Sequence, residues 1–551
     1  MKDIRFPKLT LQVIPALVSF LLVNALSISG LTTNQRAYAK DSESHDQPNN
    51  KHVLILSIDG LHQADLEDSK LAGDFSNIFA LARRGISYTN ASTSEPSDSF
   101  PGTLAYLTGA GPKTTGVYYD DSYARNLIAP GGNTNTPPGT EAQFAENIDK
   151  NSDLLSGGGD FSVGSIDPAK LPLDSNGNPV YPHQYLKVNT IFNVAHDAGL
   201  YTAFSDKHPA YDIANGPSGN GIDDFYAPEI NALVALEDGK LVDKSTAKDP
   251  SKLTFKTTTN DYKLTEAYDD LKVNAIINEI NGLNSKGTSA KVVPAIFAMN
   301  FQAVSVAQKD LANGGIASDG TPSTELEDAI KHTDTSIGKI INALKQRHLL
   351  DSTLVILTAK HGQSPRIGAA TLIKDNIYTD PLTQAGIKVA QATQDDVALL
   401  WLDKSSQAND AAKILNSLKD SNPNSGIDTV LVGDALRTAG FGDPSDGRTP
   451  DLIVKLKPGF VLVGNPATSN KRAEHGGLSE DDTHVPLIIS GDNLTKKLQG
   501  TTQTQPVKTT QIAVTVLEAL GLDPDNLQGA VAESTRPLPG LKIKESRKYS
   551  W

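Results

Sequence analysis

The stretch Ser94-Glu95-Pro96-Ser97-Asp98-Ser99-Phe100-Pro101-Gly102-Thr103-Leu104-Ala105-Tyr106-Leu107-Thr108-Gly109 sets a polar turn against a short apolar helix. Ser99 stands where the helix begins, and Pro101 falls at a first-turn position, where a missing N–H costs nothing. Backbone N–H groups at a helix start point outward and favour anions. A hydroxyl placed there can attack an ester while the neighbouring amides hold the oxyanion. It can equally serve only as an N-cap.

On either side of this stretch, short apolar runs alternate with helical patterns. His52–Ile58 is apolar, β-branched and short, as a buried parallel strand is, and it ends at Asp59-Gly60. A helix to about Arg84 and a strand at Ile86–Asn90 follow. Beyond the loop-rich residues 131–185 come a helix at Val188–Asp197 and strands at Tyr201–Ser205 and Lys291–Phe301. The last third holds a long helix at Leu326–Leu349, strands at Thr353–Thr358 and Val485–Ser490, and a helix at Thr509–Leu520. Such alternation indicates an α/β fold, with a mostly parallel sheet covered on both faces. Residues 225–287 and 366–471 read as excursions from it, the second with a strand at Val397–Leu402 and a helix at Ala408–Leu418. The stretch after Asp523 reads as a Pro-rich tail, 524–551.

The chain has 551 residues, 38% hydrophobic and 21% charged, with no cysteine. Lys2, Arg5 and Lys8 precede an apolar run and Ala37-Tyr38-Ala39 offers a cleavage site, so residues 1–39 read as a secretory leader and 40–51 as a linker. The expected location is periplasmic or extracellular, with no stable membrane insertion once the leader is cut. Disulfides and thiolate metal ligands are excluded, so any metal must sit on His, Asp, Glu or hydroxyl groups. The whole chain is −14; the leader carries +3, which leaves −17 for the rest. Nucleic acid, which needs a basic face, is not an expected partner. Nothing implies an obligate protein partner.

Asp59, Ser99, Lys360-His361 and Glu474-His475 all fall just past predicted strands or at a helix start, where open α/β sheets bind ligands. Each alone is commonly a turn or a stop. Together they lie on one predicted rim. No Walker-type loop and no nucleophile elbow is present, which argues against a nucleotide-driven ATPase and an α/β-hydrolase.

Ser57-Ile58-Asp59-Gly60, Ser99-Phe100-Pro101 with Leu107-Thr108-Gly109, Thr358-Ala359-Lys360-His361-Gly362 and Glu474-His475-Gly476 together resemble the alkaline phosphatase superfamily, in particular its type I phosphodiesterase/nucleotide pyrophosphatase branch. The resemblance runs in order from about His52 to Leu522. It implies an alkaline-phosphatase-like three-layer sandwich over 52–523 with the two excursions as caps. It implies a metal-dependent hydrolase of small phosphate esters that works through a covalent phospho-enzyme. By position Ser99 is the nucleophile, Asp59, Ser99 and His361 hold one metal, and His475 belongs to its neighbour. One or two zinc ions are expected, with calcium or magnesium as alternatives. A metal there would lower the hydroxyl's pKa and neutralise the transferring phosphoryl group.

The departures bear on the chemistry. Relatives have Asp where this chain has Lys360, and an Asp-x-x-x-His pair where it has Asn300-Phe301-Gln302-Ala303-Val304-Ser305-Val306. Many carry Asn at Gly102 and near Asp120. Exchanging a carboxylate for an ammonium changes the local charge by about two units, as much as one divalent ion. Lys360 is therefore expected to take part in catalysis by partly replacing a metal, paired with Asp59 or the substrate; alternatively it turns outward, and Asp98, Asp120, Asp121 or Asp482 fills the gap. Gly102, Asp120, Arg125, His208, Asn300 and Gln302 are the candidate substrate contacts, Arg125 as a bidentate phosphate grip. Two other functions stay open: a non-catalytic binding protein on the same fold, and a sulfatase, for which the Arg after Ser99-Phe100-Pro101 is missing.

Overall fold

Six of the nine strands in the main sheet of the computed structural model follow the apolar runs named above. The structure describes residues 51–309, 314–491, 494 and 496–541. The expected leader, nearly all of the linker and the end of the tail lie outside them. In chain order the strands are β1 His52–Ile58, β2 Gly85–Ser92, β3 Thr202–Ser205, β4 Asp224–Tyr226, β5 Ile296–Phe301, β6 Thr353–Thr358, β7 His484–Ser490 and β8 Thr501–Gln503, with Val507–Lys508 pairing beside β2. Across the sheet the order is β8-β2-β7-β6-β1-β5-β3-β4. Only β7 runs against its neighbours; every other pairing is parallel.

That one reversal positions the site. The carboxyl ends of β1, β3, β5 and β6 share an edge with the start of β7, so Asp59, Asp206, Asn300 and Lys360 meet the segment 474–483 that leads into β7. β1 is buried on both sides. Val53 and Ile55 face one core layer, with Ser99–Thr108 (α1) and Thr510–Ala519 (α4), while Leu54, Leu56 and Ile58 face the other. The second layer holds Tyr262–Ile280 (α2) and Thr324–Gln346 (α3). α2 differs from the sequence expectation, which put it in a cap. Its Val273, Ile276 and Ile280 pack against β5 and α3, so only the three short strands before it, within residues 233–257, leave the core.

The second excursion is a layer of its own. Four antiparallel strands, in the order 389–394, 397–402, 452–456 and 427–432, carry helices Asn376–Gln384 and Ala408–Ser421. Its strand Val397–Leu402 is buried on both faces. Ala398, Leu400 and Leu402 join the local core, and Val397, Leu399 and Trp401 pack on Tyr118 and Tyr119, which follow α1 in the chain.

Asp121 lies in this contact, its Oδ2 accepting from the Gln391 amide at 2.9 Å. Burial, and then the adjoining Glu141 carboxylate, push its carboxyl up to about 8. A carboxyl raised in the folded state binds its proton more tightly there than in the unfolded chain, so this contribution to stability is full at low pH and is lost as pH climbs from about 4 to about 8. Asp121→Asn is expected to flatten the fall of the thermal midpoint over that window; an unchanged slope would assign the dependence to other groups.

Candidate active site

β1 ends by bonding to both neighbours: the Asp59 amide donates to Phe301 O at 3.0 Å and the Gly60 amide to His361 O at 3.1 Å. Gly60 turns the chain with φ +79°, and a Cβ there would lie 2.2 Å from Gln363 Oε1. These bonds fix Asp59 at the middle of the rim, fully buried. Its Oδ1 accepts from the Asn300 amide at 2.7 Å and its Oδ2 from the Gln302 amide at 2.6 Å. Gln302 is held in turn by Asp269, which accepts from the Gln302 backbone amide.

Ser99 opens α1. Asp98 caps that helix, its Oδ1 accepting from the Phe100 amide at 3.0 Å and from the Asp120 amide at 3.1 Å. The expected oxyanion amide at Phe100 is thus already taken by Asp98. The Ser99 hydroxyl has two partners. His361 Nε2 is 3.1 Å from Oγ, and Lys207 Nζ donates to it at 2.9 Å. The His361 and His475 rings lie 4.0 Å apart, tilted by 40°. His475 Nε2 is 3.8 Å from Glu474, which Lys309 and Lys471 also hold.

Lys360 is fully buried and turns inward. Its Nζ donates to Asp206 Oδ1 at 2.7 Å and to the Tyr211 hydroxyl at 3.0 Å, and stands 4.0 Å from Asp59 Oδ2. Lys207 Nζ is 3.6 Å from the same Asp59 oxygen. Burial alone would raise Asp59, but Lys360, His361 and Lys207 outweigh it and hold its carboxyl well below the usual carboxylate range. Burial would lower Lys207, yet Asp59, Asp206 and Asp98 raise it. For Lys360 burial wins, and the ammonium is lowered despite Asp206 and Asp59. Asp98 and Asp120 are raised, both chiefly by burial; for Asp120 the Asp98 carboxylate adds to it.

The rim brings Asp59, Ser99, Lys360, His361, His475, Asn300 and Gln302 together. Other candidates have different places. Arg125 pairs with Asp451 at 2.5 Å and so ties the second excursion to the strand after α1; it is not a free phosphate grip. His208 Nδ1 lies 2.8 Å from Glu229 Oε2, so that nitrogen is already paired. Gly102 lies against the Lys360 backbone, where a Cβ would come within 2.3 Å of Lys360 O, so no side chain fits there to touch a substrate. Asp120 is tied through its backbone amide to Asp98, at 3.1 Å. Two residues outside the sequence-derived set, Asp206 and Lys207, do reach the centre. They follow β3 directly, and the carboxyl-end rule that selects Asp59 also selects them.

Three of the expected metal ligands converge, His361 Nε2 lying 3.1 Å from Ser99 Oγ and 3.7 Å from Asp59 Oδ2, but Lys207 Nζ stands beside them, 2.9 Å from Ser99 Oγ and 3.6 Å from Asp59 Oδ2. Asp59 is their one carboxylate, and both its oxygens already accept amide hydrogens. Among the described residues no three His, Asp or Glu side chains are grouped to hold a metal. A divalent ion at Asp59 and Ser99 would instead meet the ammonium groups of Lys207 and Lys360. The donor set does not fit a two-metal centre.

The three-layer fold with a helix-start serine on this rim is that of the alkaline phosphatase superfamily, whose members use divalent metals. Within it the chain belongs to the type I phosphodiesterase/nucleotide pyrophosphatase family of phosphoric ester hydrolases, whose model matches residues 53–165 and 175–478. No curated protein sequence matches. Among solved structures, murine ectonucleotide pyrophosphatase/phosphodiesterase 5 is similar at 14% identity and TM-score 0.55, over 86% of this chain and 95% of that one. The wild-type alkaline phosphatase PafA is similar at 16% identity and TM-score 0.56, over 86% and 96%. Human ectonucleotide pyrophosphatase/phosphodiesterase 5 is similar at 12% and 0.51, over 86% and 95%. At such identities these likenesses speak for the fold alone.

Lys360→Met would leave Asp206 and Asp59 buried with one cation fewer and is expected to cost about 3–5 kcal/mol in urea unfolding. Adding Asp206→Asn should recover part of that loss. A loss in the double variant equal to the sum of the Lys360→Met and Asp206→Asn losses would show that the two groups are not coupled.

Proposed function

We propose that the protein is an exported hydrolase of small phosphate esters, of phosphodiesterase, nucleotide pyrophosphatase or phosphatase type, acting through a Ser99 phospho-enzyme. One observation carries the reading: the Ser99 hydroxyl opens a buried helix between an imidazole and an ammonium. Lys207, at 2.9 Å, places positive charge at the attacking oxygen and beside any phosphoryl group bonded to it. The export half of the proposal rests on residues 1–39, and no helix among the described residues is long and apolar enough to cross a membrane. The expected zinc is not part of the proposal, because the donor set around Asp59 does not hold it.

A binding protein on the same fold is the second reading, favoured by Lys360 standing where relatives carry a carboxylate. Sulfatase chemistry has only the fold behind it. The panel that ranks these is bis-aryl phosphate, aryl phosphate and aryl sulfate, together with a nucleoside diphosphate ester, since a murine relative has been solved, as an inactive variant, with AMP. Turnover of a phosphoester is expected, with Ser99→Ala lowering it about 10³-fold or more. Acid-quenched wild-type protein should carry phosphate on Ser99 by mass spectrometry. A fully active Ser99→Ala protein would remove Ser99 from the reaction.

A further inference from the structure

We propose that two ammonium groups, the part-buried Lys207 and the buried Lys360, replace the divalent ions of the superfamily in this chain, and that His361 takes the Ser99 proton, so that phosphoryl transfer proceeds without a metal. The inference rests on the phosphoester reading above.

Three observations carry it. Counting Asp59 and Asp206 against Lys207 and Lys360, the centre is neutral as it stands. Two divalent ions would add four positive charges there, and Asp59, the carboxylate beside Ser99, already accepts two amides. Second, the protons around Ser99 are fixed by chemistry. Lys207 only donates, so Ser99 Oγ accepts from it and its own hydrogen is free to go to His361. On the far side of the ring Nδ1 lies 2.8 Å from Gly362 O, a carbonyl that only accepts. Nδ1 therefore carries the ring hydrogen and Nε2 presents its lone pair to Ser99 at 3.1 Å. Third, Lys360 is clamped by Asp206, by the Tyr211 hydroxyl and by the Tyr211 ring, with Nζ 4.2 Å from its centroid, in place of a ligand carboxylate.

In the first half-reaction the Ser99 proton passes to His361 Nε2, the Ser99 Oγ–P bond forms, and the bond from phosphorus to the leaving oxygen breaks. The leaving group departs as the oxyanion and takes a proton from solvent, to which the imidazolium returns its own. In the second, solvent protonates His361, and water bonds to phosphorus on the face opposite Oγ and loses its proton to solvent. The Oγ–P bond breaks, and Ser99 recovers a proton from the imidazolium. Lys207 is the catalytic cation, facing the attacking oxygen and the phosphoryl group. Lys360 is a positioning residue, keeping Asp59 and Asp206 compensated while Asp59 holds Asn300 and Gln302 in place.

The test uses the exported full chain, dialysed against EDTA and assayed with and without added zinc. Metal content by elemental analysis, vanadate binding and bis-aryl phosphate turnover are measured together. The expected result is less than about 0.1 divalent ion per chain, with vanadate affinity and turnover within about twofold in the two conditions. Lys207→Met should weaken vanadate binding about tenfold or more in EDTA. Lys207→Arg, which keeps the charge, should retain more of it, and a thermal melt separates either effect from misfolding. One or two tightly held zinc ions, with turnover lost in EDTA and restored by zinc, would overturn the inference and leave the phosphoester reading standing. No turnover of any ester in either condition would remove that reading instead. Vanadate binding then decides: binding insensitive to EDTA and weakened in Lys207→Met upholds the ammonium pair, and zinc-dependent or absent binding overturns it.

Discussion

The ammonium of Lys360, held out of water 2.7 Å from Asp206 and 4.0 Å from Asp59, is the contact on which the rest of the rim depends. Two carboxylates at the ends of parallel strands cannot both stay ionised in the interior without cations beside them. Lys360 and Lys207 supply those cations. Asp59, kept ionised, can accept the amides of Asn300 and Gln302, which lock the end of β5 to the end of β1. One of the two, Lys207, also donates to the nucleophile candidate Ser99, so the charges that keep the sheet edge closed reach the serine as well.

Strand direction explains why residues more than 400 positions apart in sequence share this edge. Parallel strands deliver Asp59, Asp206, Asn300 and Lys360 from their carboxyl ends. The antiparallel β7 delivers Glu474 and His475 from the segment before it begins. The serine helix then lies across the edge, so close to the Lys360 backbone that position 102 accepts only a glycine without a clash.

Much of this was legible in the sequence. β1 and β6 run over the residues their apolar runs mark, His52–Ile58 and Thr353–Thr358, because a strand buried on both faces leaves a continuous hydrophobic signal. Asp59, Ser99 and His361 could be grouped because each lies beside such a strand or at a helix start, and His475 through the motif Glu474-His475-Gly476. The partners of charged side chains were not legible. Nothing local says that Arg125 will find Asp451, or His208 Glu229, since both pairings are made by tertiary approach. Helix 262–280 reads in sequence as part of an excursion because its apolar positions spread around the helix instead of forming one stripe. It touches a strand on one side and a helix on the other, as such a pattern requires. Lys207 stands outside the candidate set for a physical reason as well. A lysine after a strand reads as solvated, and only the carboxylates folded around it keep it inside.

The second excursion carries its own core, with Tyr378, Leu400, Leu415, Leu452 and Val454 at its centre, yet Leu399 and Trp401 seat it on Tyr118 and Tyr119, just beyond the serine helix. The Arg125–Asp451 bridge and the pairing of Arg366 with Asp65 and Asp68 pin the excursion toward its two ends. An autonomous module fastened in this way can exchange its outward loops without shifting the serine beneath it.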